Sequence, residues 1–127
     1  MRRNLLFLLA LALPSTGCLA AAAAGAAGGI YLTSRGAESV VPGSVDDVAG
    51  RAEAVMGEMG IVKQGESTED QGDRHVLKGT RNELDITIEI NRESSTTAKV
   101  EVTARENVAE WDKDYAKQVL GRIVEKS

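Results

Sequence analysis

Cys18 is the only cysteine of the 127-residue chain, and the residues before it have the pattern of an export signal. Arg2 and Arg3 form a short basic start, Leu5 to Leu13 is an unbroken apolar run, and Pro14-Ser15-Thr16-Gly17 leads directly into the thiol. A basic start, an apolar run shorter than a comfortable membrane span and a small-residue cleavage site are the three parts of an export signal. A sole cysteine placed immediately after that site reads as a lipid acceptor, with Ser15 standing where such signals usually carry Leu. The constraint on folding is severe: with Cys18 acylated, no disulfide is available in an oxidising compartment, and whatever follows must hold together by packing alone.

Two other readings of the same segment stay open. Cys18 is an ordinary apolar residue if the general signal peptidase cuts after Ala20 or Ala22. The charge-free stretch from Asn4 to Ser34 is long enough for one uncleaved transmembrane helix, since about twenty residues suffice, although Pro14, Gly25, Gly28 and Gly29 oppose helix. In every version the leading arginines keep the N-terminus in the cytoplasm and the rest of the chain outside it. Leu19 after the cysteine, rather than Asp, favours the outer membrane over inner-membrane retention, with the body facing the periplasm. Two or three fatty chains give the durable anchoring that one cannot.

Residues 18–35 are expected to form the lipidated N-terminus and an Ala/Gly-rich tether, after a signal peptide over 1–17. Ala21, Gly25 and Gly29 recur every four residues and would line one face of a helix, as in membrane helix-packing motifs. That spacing is the basis of a second functional reading, a structural envelope protein that self-associates through this segment.

From Gly36 to Ser127 the composition is that of a soluble domain, roughly ninety residues with room for one modest core. The chain's formal charge is −4, and it becomes −6 once Arg2 and Arg3 leave with the signal. A mildly acidic body does not call for nucleic acid, which needs a basic surface. Ser44 is an N-cap followed by Asp46 and Asp47, and Val45, Val48, Ala49, Ala52, Val55, Met56 and Met59 recur at helical spacing until Gly60. Strands are expected over Glu38–Val41, Ile61 to about Gly65, and Arg74–Thr80, with a polar loop over Glu66–Asp73. Leu84, Ile86, Ile88 and Ile90 alternate with Asp85, Thr87, Glu89 and Asn91, and Ala98, Val100, Val102 and Ala104 alternate again after a polar turn. A closing helix is expected over Ala109–Glu125, with Trp111, Tyr115, Val119 and Ile123 on its apolar stripe. The reading is one α+β domain: a small antiparallel sheet of about four or five strands, two amphipathic helices on one face, in the order β-α-β-β-β-β-α.

The whole pattern resembles small bacterial lipoproteins of the domain of unknown function 3568 type. The residues that carry the resemblance are Val41-Pro42-Gly43-Ser44-Val45-Asp46-Asp47-Val48, Met59-Gly60-Ile61-Val62, Leu84 to Ile90 and Gln118 to Ile123. It covers nearly the full chain and implies the same location and architecture. It transfers no activity.

No grouping that carries chemistry stands out. His75 is alone on a strand and reads as a surface or hydrogen-bonded histidine. Glu66, Glu69, Asp70 and Asp73 do not reproduce a calcium loop, and zinc would want Cys or His. The expectation is therefore a non-enzyme with no cofactor and no metal, joined to the membrane through Cys18 and acting on an envelope protein partner. Trp111 and Tyr115 are the candidate interaction surface. The wet sheet face, with Asp85, Thr87, Glu89, Lys99, Glu101 and Thr103, is expected to pair opposite charges across its strands.

Overall fold

A computed structural model describes residues 29–127. Cys18, Ala21 and Gly25 lie outside the described residues, and Gly29 sits in irregular backbone at their start. The chain runs β1 (Tyr31–Leu32), β2 (Gly36–Pro42), α1 (Val45–Glu58), β3 (Val62–Glu69), a 3₁₀ turn (Asp70–Gly72), β4 (Arg74–Arg81), β5 (Leu84–Arg92), β6 (Thr97–Arg105) and α2 (Lys113–Glu125).

All strands join one antiparallel sheet in the order β1-β2-β6-β5-β4-β3. The α+β class, the two helices and their placement on a single face are as the sequence indicates. The sheet has six strands rather than four or five. The additional one, β1, lies in the segment assigned to the tether, and Ile30 before it packs on the core.

Each element follows from local chemistry. Ser44 Oγ accepts from the Asp47 amide (3.1 Å) and caps α1 as expected, with Asp46 and Asp47 in its first turn. The helix stops at Met59 because Gly60 takes a left-handed conformation (φ +72°), which costs glycine nothing. In β5 and β6, Ile86, Ile88, Ile90, Ala98, Val100, Val102 and Ala104 turn one way and are buried. On that side α2 covers β2 and β6, while α1 lies over β4 and β5. Small residues let the helices come close. A Cβ on Gly79 would stand 2.7 Å from both Met56 Cε and Ile61 Cγ2.

Two boundaries differ from expectation. Strand β3 runs on to Glu69 because it pairs with β4 throughout, absorbing a bulge between Lys63 and Gly65. Glu66 and Glu69 therefore belong to a strand, and only Asp70 and Asp73 stay in the turn. The closing helix begins at Lys113, not Ala109. Asn107 Oδ1 captures the amides of Ala109 (2.9 Å) and Glu110 (3.1 Å), and Asp112 caps the helix by accepting from the Tyr115 amide (2.9 Å). The competing side-chain acceptor holds residues 107–110 in a turn.

Candidate functional site: the open sheet face

With both helices on one side, the other face of the sheet carries no covering element among the described residues. Strand register decides which side chains meet there. Glu101 of β6 stands directly opposite Glu38 of β2 on one side and Glu89 of β5 on the other. Paired strands lie about 4.8 Å apart, so three carboxylates form a row across the middle of the face. The expectation of opposite charges paired across strands holds for Arg74 with Glu89 but fails along this row. The opposite pair does occur at Asp85 and Arg105, but Thr87 meets Thr103 and Asn91 meets Lys99. Like charges directly opposite on a sheet are unfavourable.

The three glutamates are not equivalent. Glu89 Oε2 accepts from an Arg74 guanidinium nitrogen at 2.7 Å, and Oε1 accepts from Asn91 Nδ2 at 3.2 Å. Burial pushes the Glu89 carboxyl up, yet these hydrogen bonds, Arg74's foremost, hold it below its ordinary value. Arg74 is held in turn: its pKa is raised first by Glu89, and its second nitrogen donates to Glu69 at 2.9 Å. Glu101 has no such partner. Burial raises its pKa first, and the charges of Glu89 and Glu38 raise it further, while Lys99 and Arg35 act weakly against them. Among the described residues neither Glu101 nor Glu38 takes part in an ion pair.

The two aromatics singled out from the sequence are separated. Tyr115 is buried in the core beneath α2, with Arg81 over its ring at 5.6 Å. Trp111 precedes the helix, bridges Arg105 at the end of β6, and is half-buried between two guanidiniums. Arg35 lies 5.3 Å from its ring centroid and Arg105 lies 5.6 Å away. Of the pair, only Trp111 stands at the margin of the open face.

His75 faces the helix side, 8 % exposed, as a hydrogen-bonded strand histidine. Its Nε2 donates to Glu66 Oε2 (2.7 Å) and its Nδ1 lies 3.3 Å from Thr68 Oγ1. Glu66 also receives Lys63, which bridges to Glu53 on α1. Lys63 foremost, and then His75, hold the Glu66 carboxyl below its ordinary value. The hydroxyl–imidazole–carboxylate line straps β3 to β4, and Lys63 ties it to α1. Neither Thr68 nor His75 lines the nearby cavity, which is bounded by Gly65, Glu66, Ser67, Val76 and Lys78. A shallow cavity of ≈ 240 Å³ at the start of α1 includes Ser44, Asp46, Asp73 and Arg92, but Arg92 already pairs with Asp73 (3.3 Å).

No protein-family model matches this chain, and neither does any curated protein or solved structure.

Proposed function

We propose that this chain is a lipid-anchored, non-catalytic interaction module of the cell envelope. It is held at the membrane through Cys18, outside the cytoplasm, and receives a basic segment of an envelope protein on its open sheet face. The observation that carries the reading is Glu101, a half-buried carboxylate flanked by two others on a face that no element among the described residues covers. A folded domain gains nothing in stability from that row. A partner that lays Lys or Arg side chains across β2, β6 and β5 supplies the missing counter-charge, and charge complementarity of this kind selects partners more than it tightens them. A second copy docking by the same face is disfavoured, because a two-fold contact would oppose one glutamate row to another.

The test is site-specific photocrosslinking in intact cells. A crosslinker at Thr103, beside Glu101 on the open face, is expected to trap a discrete partner. One at Gln118, on the exposed side of α2, is expected to trap none. Charge reversal by Glu101→Lys should abolish the Thr103 adduct. Equal adducts from both positions, or an adduct indifferent to the reversal, would sink the proposal. The anchor has its own assay: radiolabelled palmitate should enter the wild type and be absent from Cys18→Ala.

A further inference from the structure

We propose that one corner of the sheet docks on the phospholipid surface itself, so that the anchored domain lies against the bilayer in a set orientation. The corner consists of β1, the Thr33–Arg35 turn and the Glu106–Trp111 loop. This inference rests on the lipid-anchor reading above.

Three observations meet there. First, of the four exposed large apolar side chains among the described residues, three belong to this corner: Tyr31 (68 % exposed), Leu32 (59 %) and Val108 (84 %). Register brings them to the same end of the sheet. Leu32 pairs with Ala37 beside the turn, Gly36 pairs with Thr103, and the loop holding Val108 leaves β6 two residues beyond Thr103. Second, Trp111 is stacked by Arg35 from the turn and Arg105 from β6, which ties the two segments together. Among the described residues neither arginine takes part in an ion pair. Amphipathic aromatics, aliphatic side chains and guanidiniums are the residues that settle at a bilayer's headgroup level. Third, the chain enters the domain at this edge. Only Leu19–Gly29, eleven residues, separate Cys18 from Ile30. A flexible coil of that length averages about 18 Å, and full extension reaches about 40 Å. So short a link keeps β1 at millimolar effective concentration near the surface, where weak contacts suffice.

The eleven-residue link selects lipid over another copy of the chain, because it holds the corner at the bilayer whatever the concentration of other copies. The loop also carries Glu106 and Glu110, so the corner has no net charge to settle the choice, but headgroup phosphates complement Arg35 and Arg105.

Trp111 is the only tryptophan, so its emission reports on the corner alone. The full chain, expressed in a bacterial host and extracted from membranes, is reconstituted into phosphatidylethanolamine–phosphatidylglycerol vesicles brominated near the top of the acyl chains. The expected result is co-flotation with the vesicles and loss of Trp111 emission. A Leu32→Glu, Val108→Glu double variant, altered only at exposed positions, should still float and should recover its emission. Flotation with unquenched Trp111 in the wild type would overturn the docked corner and leave the anchor standing. Quenching that persists in the double variant would overturn it as well. A wild type that does not float would remove the anchor reading and this one together.

Discussion

Replacing Glu101 with Gln removes the central charge of the glutamate row while keeping side-chain size and the strand's pairing. Two directly opposed like-charge contacts disappear, with Glu38 and with Glu89. Each cross-strand pair of this kind is worth roughly 0.2–1 kcal/mol, so the variant should be more stable by about 0.5–1.5 kcal/mol at neutral pH. For a domain of this size that is a Tm higher by about 2–10 °C. The sign follows from the direction of the shift. The carboxyl of Glu101 is raised in the folded protein, so stability is greatest while it is protonated and is lost as pH climbs through the raised value. The advantage of Gln should therefore vanish when pH falls below the ordinary glutamate value of about 4.3. It should also shrink toward 1 M salt, where the screening length is about 3 Å. Urea unfolding of the unacylated wild type and variant at pH 7 and pH 3.5, at low and high salt, measures all of this. A variant no more stable than wild type at pH 7 would refute the reasoning, as would a gain that ignores both pH and salt. The more stable variant should also be the weaker one in partner crosslinking, because the same carboxylate serves both.

Two further outcomes test the packing. Gly79→Ala should lower stability by about 1–3 kcal/mol, the usual penalty of overpacking, since its Cβ would press on Met56, Ile61 and the Val62 carbonyl oxygen (2.8 Å); a urea midpoint equal to wild type would show that α1 floats freely above β4. Ser44→Ala should lower stability by about 1 kcal/mol through loss of the Asp47 amide's acceptor, whereas Ser44→Gly should cost only a few tenths, so a larger loss for glycine would contradict the capping role.

How far the sequence carried depended on whether neighbours in the chain are neighbours in space. Helix α1 was legible to its caps because Ser44, Asp46, Asp47 and Gly60 act within one turn of where they stand. The β5 and β6 alternation was legible for the same reason, and it correctly assigned Ile86, Ile88 and Ile90 to the buried side. The spacing of Trp111 to Tyr115 fits a helical turn and predicts a helix through both. Asn107 and the bridge to Arg105 hold Trp111 outside instead, and neither interaction leaves a periodic trace. Along a hairpin the register depends on how many residues the turn consumes. Counting Glu93–Thr97 as the loop between Arg92 and Ala98 sets Glu89 opposite Glu101, and that signal was present in the chain.

Glu38 is different. It lies 63 positions before Glu101, with α1 and three strands between, and it joins the row only because β2 lies beside β6 in the sheet. Side-chain periods of two and 3.6 assign faces to elements one at a time, so the chain read alone yields two amphipathic helices and a one-sided sheet. Strand order comes from closing long loops over a shared core, a global choice that local periodicity does not encode. That choice assembles the three carboxylates, sandwiches Trp111 between arginines 70 positions apart in the chain, and sets β1 at the edge of the sheet.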